Sequence, residues 1–320
     1  MIHIVGAGPG AVDLITVRGQ KLLSEADVVI YAGSLVSRDL LGWARQDARI
    51  YDSASMDLEQ VMEVMEQAER DGLTTVRLHT GDPCLYGAIR EQMDGLDARG
   101  IKYDICPGVS SFCGAAAALG MEYTLPGISQ SVVITRMAGR TPVPERESIG
   151  KFAAHGSTMV IFLSAGMTGE LSEELVKGGY PGDTPAAIVY KATWPDEKVV
   201  RCTVATLEET ADREGIHKTA LIVVGNTVAQ TGYERSKLYD PAFTTGFRAG
   251  REIVPGKLEP GTLYVVGMGP GEKKADDRTG AGSDGPVPGH SRLYGLCGPG
   301  KGIVPPEGVP DHPHDPGKEE

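Results

Sequence analysis

An acidic chain of 320 residues, with 43 Asp and Glu against 31 Lys and Arg, lacks the basic face that phosphate backbones require, so nucleic acid is excluded as its main partner. The length suits about two domains, and a hydrophobic content of 41% is enough for sizeable cores. The cysteines Cys84, Cys106, Cys113, Cys202 and Cys297 form no CxxC pair and read as reduced thiols of a cytoplasmic protein, with no signal peptide or membrane span expected.

Ile2 to Val5 is a short apolar strand that runs into Gly6-Ala7-Gly8-Pro9-Gly10-Ala11. This loop matches the looser dinucleotide pattern G-x-G-x-x-A. Three features set it against a pyrophosphate cradle. Pro9 has no N–H to donate. The helix begins only beyond Thr16, the predicted N-cap of Val17 to Ala26. The next strand, Val28 to Tyr31, ends in Ala32-Gly33-Ser34, with no acidic residue for a ribose hydroxyl.

Leu35 to Arg45 reads as helical, and Arg49 to Tyr51 as a short strand. Asp57 to Asp71 is a helix with Leu58, Val61, Met62, Met65 and Ala68 on one face. Leu73 to Leu78 is β-branched and apolar, the pattern of a buried strand. It leads into His79-Thr80-Gly81-Asp82-Pro83-Cys84-Leu85-Tyr86-Gly87 and a helix from about Gly87 to Arg99. The Gly81 loop therefore stands at the carboxyl end of a strand, where open α/β sheets bind their ligands. Gly81 permits close backbone approach and Pro83 stiffens the turn. Asp82 is either a polar group near a ligand or an Asx-type stabiliser of its own turn. His79 is either a base or a hydrogen-bonded structural histidine.

Tyr103 to Ile105 is a strand, followed by the turn Cys106-Pro107-Gly108-Val109-Ser110-Ser111-Phe112 and a small-residue helix, Ala115 to Leu119. This alternation predicts a mostly parallel sheet covered on both faces. Gly120 to Gln130 breaks the rhythm as a linker. Strands are predicted at Val132 to Thr135, Thr158 to Leu163 and Ala186 to Tyr190. The stretch Glu197 to Val204 alternates as a hairpin-type strand after Trp194-Pro195-Asp196, and Ala220 to Val224 is apolar. With helices near Gly169 to Lys177 and Thr206 to Glu214, the second half is α/β with an antiparallel part. The fold class is thus two α/β domains, residues 1–119 and 131–235.

Four of these stretches stand together in the order of one family. Val5-Gly6-Ala7-Gly8-Pro9-Gly10 with Asp13-Leu14-Ile15-Thr16, then Gly81-Asp82-Pro83, Pro107-Gly108-Val109-Ser110-Ser111 and Ala220-Leu221-Ile222-Val223-Val224-Gly225, resemble the S-adenosylmethionine-dependent tetrapyrrole methyltransferases over roughly residues 1–235. Tyr31-Ala32-Gly33-Ser34-Leu35-Val36 and Arg136 through Glu145 look like the members that methylate C11 of precorrin-4 or its cobalt complex. The resemblance implies a ligand cleft between the two domains that holds the methyl donor, and a homodimer acting on a small-molecule tetrapyrrole, with other corrin-pathway enzymes as further candidate partners and the first glycine loop lining the substrate trough. It implies methyl-donor contacts from Gly81, Asp82, Leu85, Tyr86, Ser110 and Ser111, and from Leu163, Ser164, Ala192, Ala220 and Leu221. Pro9, Ser34, Arg136 and Arg140 would meet the substrate, whose carboxylates suit the arginine fork. Arg38, Arg90 and Arg146 could extend that rim, and Asp82 is the one catalytic candidate. A uroporphyrinogen or other precorrin methyltransferase, a nucleotide-binding oxidoreductase and a non-catalytic tetrapyrrole binder are the alternatives.

Leu263-Tyr264-Val265-Val266-Gly267-Met268-Gly269-Pro270-Gly271 repeats the opening motif, as if a second methyltransferase of the same family started there. Beyond Glu272 glycine and proline dominate, which predicts a truncated fusion with a disordered tail, or a linker. His312-Pro313-His314-Asp315 is a loose metal motif or incidental, and no protein metal site is expected.

Overall fold

The structure is a computed structural model and describes residues 1–251. Its apolar, β-branched runs form two five-stranded sheets. The first comprises β1 (Ile2–Gly6), β2 (Val28–Tyr31), β3 (Arg49–Asp52), β4 (Thr75–His79) and β5 (Tyr103–Cys106) in the order β3-β2-β4-β1-β5. Every pairing in it is parallel, so all five carboxyl ends open on one edge. Helix α1 (Val17–Glu25) covers one face through Leu23, which shares a cluster with Ile15 ahead of the helix and Val5 of β1. Helices α2 (Leu58–Arg70) and α3 (Ile89–Ala98) cover the other through Val61, Met65 and Leu96. Thr16 caps α1 by accepting from the Gly19 N–H, and Asp57 with Gln60 forms a capping box on α2.

Helix α4 (Ser111–Leu119) follows β5 but buries Ala115 and Leu119 against the second sheet. That sheet orders β6 (Val132–Arg136), β7 (Thr158–Phe162), β8 (Pro185–Tyr190), β9 (Lys198–Thr203) and β10 (Ala220–Val224) as β6-β7-β10-β8-β9. Only β6 and β7 are parallel; the rest pair antiparallel. Its other face carries α5 (Ile149–Ala153), α6 (Thr168–Lys177) and α7 (Leu207–Glu214). The antiparallel part read from the sequence is therefore present.

Some local expectations change. The helix expected over Leu35 to Arg45 is a 3-10 helix, Arg38–Trp43, with only Leu40 of it buried. Gly42 and the exposed Trp43 leave that stretch no continuous apolar stripe to dock. Helix α4 starts at Ser111, four residues ahead of the expectation, and α5 was not foreseen. The segment 120–130 is held onto β7: Thr158 Oγ1 donates to the Tyr123 carbonyl at 2.8 Å, and Ser129 Oγ accepts from the Thr158 N–H at 3.0 Å. The repeated glycine motif at 262–272, the Gly/Pro-rich tail and His312 to Asp315 lie outside the described residues.

Candidate functional site

Three glycine turns leave the carboxyl ends of β1, β4 and β5, which are neighbours in the sheet, and their glycines meet backbone to backbone. A Cβ on Gly108 would stand 2.2 Å from the Gly81 carbonyl oxygen and 2.7 Å from the Gly6 Cα. No side chain fits there. Gly81, at φ +60°, exchanges two backbone hydrogen bonds with Gly8, Gly81 N–H to Gly8 O at 2.8 Å and the reverse at 3.2 Å. The Ala7 N–H donates to the His79 carbonyl at 2.7 Å. The glycines of the first loop thus serve close packing between loops, and the helix after them starts at Val17, as the sequence predicted.

Asp82 ties this arrangement together. Its Oδ1 accepts from the Cys84 N–H at 2.8 Å and its Oδ2 from the Gly108 N–H at 2.9 Å. The Asx turn anticipated for Asp82 is present, and the second oxygen reaches across to the β5 turn. Asp52, which sequence reasoning missed, does the same at the next edge of the sheet. It accepts from the Ala54 N–H at 2.9 Å and the Gly33 N–H at 3.0 Å, and these bonds, with the Tyr31 hydroxyl and the Arg38 charge, hold its carboxyl below the usual range against the opposing effect of desolvation. Ser34, beside Gly33 in that turn, is exposed.

Ser110 is the buried residue that opens α4, and a Cβ on Gly81 would meet the Ser111 N at 3.3 Å. Leu85 is half-buried behind Asp82, its N–H donating to the Asp82 carbonyl at 3.2 Å. Tyr86 reaches the second sheet: its ring lies 5.4 Å from that of Phe162, at the end of β7. Burial raises the Tyr86 phenol pKa, opposed by the nearby Arg136 and aided by Glu147, so the β6 loop also faces it. Tyr86 and Leu163 both hold left-handed backbones, at φ 57° and 54°, and Leu163 is 64% exposed. Non-glycine residues sit there only when their surroundings enforce it, a condition that concentrates at ligand sites.

The second sheet brings Ala192 against α4, 3.4 Å from where a Gly114 Cβ would sit, and the same point is 2.9 Å from the Pro9 Cβ. Leu221 packs in this cluster with Ala192, whereas Ala220 points to the opposite core. Ser164 is fully buried and its hydroxyl is already engaged, donating to the Phe162 carbonyl at 2.7 Å and accepting from the Met137 N–H at 3.0 Å. Arg136 folds onto its own loop, giving hydrogen bonds to the carbonyls of Met137, Thr141 and Pro142 at 3.0–3.1 Å. Arg140 stands exposed in that loop and makes no ion pair among the described residues. Arg146 pairs with Glu147, Arg90 with Asp94, and Arg38 lies 3.9 Å from Asp52.

His79 is 5% exposed, its Nε2 has no partner, and burial with the Arg77 charge lowers its pKa to about 3. It is a neutral imidazole under the loop. The seam between the sheets is accordingly lined by backbone turns, small residues and uncharged rings. Such a surface suits a sulfonium, which needs carbonyl dipoles and no buried anion, and it offers no row of free N–H groups at a helix start for a pyrophosphate.

A family profile described as tetrapyrrole (corrin/porphyrin) methylases matches residues 1–208. The cobalt-precorrin-4 C(11)-methyltransferase of Methanocaldococcus jannaschii is 52% identical over 247 residues, covering 77% of this chain and 95% of that protein. The precorrin-4 C(11)-methyltransferase of a Sinorhizobium species is 45% identical, covering 78% and 99%. The X-ray structure of a cobalt precorrin-4 methyltransferase superposes with a TM-score of 0.69 at 48% identity, over 71% of this chain and 95% of that one.

Proposed function

The chain belongs to the tetrapyrrole methylase family, and on that premise we propose that it transfers a methyl group from S-adenosylmethionine to C11 of cobalt-precorrin-4, or of precorrin-4, in cobalamin biosynthesis. The observation that carries this reading is the seam itself. Three glycine turns, clamped by Asp82, meet the second sheet through Tyr86 and Ala192, with few ionisable groups between.

S-adenosylmethionine supplies an electrophilic methyl with a neutral thioether as leaving group, so the departing sulfur requires no general acid. The residues' work is alignment, which can contribute about 7–11 kcal/mol when reacting atoms are held at near-attack distance. Gly81, Leu85, Tyr86, Ser110 and Ser111 would hold the donor from the first sheet, and Leu163, Ala192 and Leu221 from the second. Asp82 would act through the turns it fixes, because both carboxylate oxygens already accept backbone N–H groups. Ser164 would contribute its backbone, and Ala220 the strand end beside Leu221. Pro9 and Ser34 would line the tetrapyrrole trough, with Arg140 and the remaining donors of Arg136 facing substrate carboxylates.

Among the described residues no helix is long and apolar enough to cross a membrane, and we propose a cytoplasmic enzyme. A homodimer is also proposed. Tyr233, Leu238, Tyr239, Phe243 and Phe247 project from the segment after β10, with Phe247 fully exposed, and a second copy would cover them. Sedimentation equilibrium tests that assembly. Anaerobic incubation with cobalt-precorrin-4 and methyl-labelled S-adenosylmethionine tests the reaction; bound donor without methyl transfer would contradict it.

A further inference from the structure

The turn between β8 and β9, residues 191–197, crosses from the second sheet to the first glycine loop. Trp194 Nε1–H donates to the Pro9 carbonyl at 3.1 Å, and Thr193 Oγ1 accepts from the Ala11 N–H at 3.0 Å. The indole also lies on the Gly10 Cα: a Cβ there would stand 2.1 Å from Trp194 Cδ1. Gly10 is therefore open to the ring and to no side chain of its own. A Gly114 Cβ would meet Pro9 at 2.9 Å and the Thr193 methyl at 3.2 Å, so loop, helix α4 and turn interlock at one point.

The turn is built to keep that shape. Lys191 and Thr193 hold left-handed backbones, at φ 45° and 70°, and Thr193 is β-branched, for which this region is a genuine outlier. The Trp194 N–H donates to the Lys191 carbonyl and the Glu197 N–H to the Trp194 carbonyl, each at 3.0 Å, while Glu197 Oε2 accepts from the Thr193 N–H at 2.5 Å. Lys191 Nζ pairs with Asp196 at 2.5 Å and lies 5.4 Å above the Trp194 ring. Strain kept in place by so many local bonds marks a position where geometry matters.

We infer that Trp194 is a positioning residue for the methyl transfer: its ring and N–H, with the Thr193 hydroxyl, hold the Pro9-Gly10-Ala11 segment of the trough against the second sheet. The two halves of the site are thereby kept in register. This inference rests on the functional reading above, in which the first glycine loop lines the tetrapyrrole trough and Ala192 borders the donor.

The test uses the full chain carrying Trp194→Phe, which keeps an aromatic face on Gly10 and removes the N–H, and separately Thr193→Val, which keeps the β-branch and removes the acceptor. Donor affinity is read by calorimetry, thermal midpoint by scanning calorimetry, and kcat and KM for the tetrapyrrole on the folded fraction. A lost hydrogen bond of roughly 1 kcal/mol that acts on alignment lowers kcat about fivefold. Both variants should show that fall, with the donor dissociation constant within about twofold of the unsubstituted chain. A purely structural role would lower the midpoint and leave kcat of the folded fraction unchanged, and that result in either variant overturns the inference. Should one variant fail to fold, the other decides. Absence of methyl transfer by the unsubstituted chain would instead contradict the functional reading.

Discussion

Gly108→Ala tests the convergence of the three glycine turns. No left-handed φ is required of Gly108, so alanine there carries no dihedral penalty, and the effect comes from contact alone. The new methyl would lie 2.2 Å from the Gly81 oxygen and 2.7 Å from the Gly6 Cα, whereas ordinary contact begins near 3.4 Å. The β4 and β5 turns must separate by about 1 Å, and both obstacles are backbone with no rotamer to yield. Overpacking of this kind costs about 1–3 kcal/mol, and the upper end applies here. For a unit of this size that lowers the melting temperature by roughly 6–12 °C. A displacement of about 1 Å at an aligned site costs about 100-fold in rate. The separation also opens the Asp82-to-Gly108 bond. The assay is kcat/KM for labelled methyl transfer beside a thermal melt, with Gly100→Ala as control. Gly100 has φ +65° and nothing within 4 Å of a Cβ, so it reports left-handed strain, about 1–2 kcal/mol, without a clash. Gly108→Ala with kcat/KM near that of the control would refute the argument.

Other outcomes follow from single groups. Cys84 is exposed, yet its hydrogen bond to Asp82, then burial, then the Asp82 charge push its pKa up to about 11. Its alkylation by iodoacetamide should still be climbing at pH 10, and Asp82→Asn should bring the plateau down; a plateau below pH 9 in the unsubstituted chain contradicts this. His79 titrates near 3 folded and near 6.5 unfolded, so the unfolded chain binds one more proton between those values. Its contribution to stability is complete above pH 6.5 and is lost by about 1.4 kcal/mol per unit as pH falls below that. Urea unfolding at pH 7.5 and 5 should show a shallower acid loss for His79→Gln; equal losses would show that His79 is protonated when folded. Arg140→Ala should raise the tetrapyrrole KM several-fold and leave the melting temperature within about 1 °C, since a solvated surface arginine contributes little to folding. An unchanged KM would remove Arg140 from the substrate rim.

Local chemistry made much of this legible in the sequence. The Thr16 cap, the Asp57 helix face and the Gly81 turn at a strand end are all decided within a few residues, and the structure carries each of them. What stayed hidden depends on partners distant in sequence. The second oxygen of Asp82 is occupied by an N–H 26 positions on, and Ser164 by one 27 positions back. Arg136 reads as a free cation because nothing in its own stretch announces that the carbonyls of 137–142 will curl around it. Trp194 sits 185 positions from Pro9, inside what reads as an ordinary Pro-Asp turn. A signal was available in Gly10: glycine where the dinucleotide pattern does not need it asks what packs there. Helix α4 was harder, because its small apolar residues could serve either sheet.

The most direct test of the central claim offers the chain cobalt-precorrin-4, metal-free precorrin-4 and uroporphyrinogen III together, anaerobically, with methyl-labelled S-adenosylmethionine, followed by mass spectrometry and NMR of the labelled carbon. The account predicts one new methyl, on C11, in cobalt-precorrin-4 or precorrin-4 and none in uroporphyrinogen III. Label on uroporphyrinogen III, or at a carbon other than C11, would contradict it.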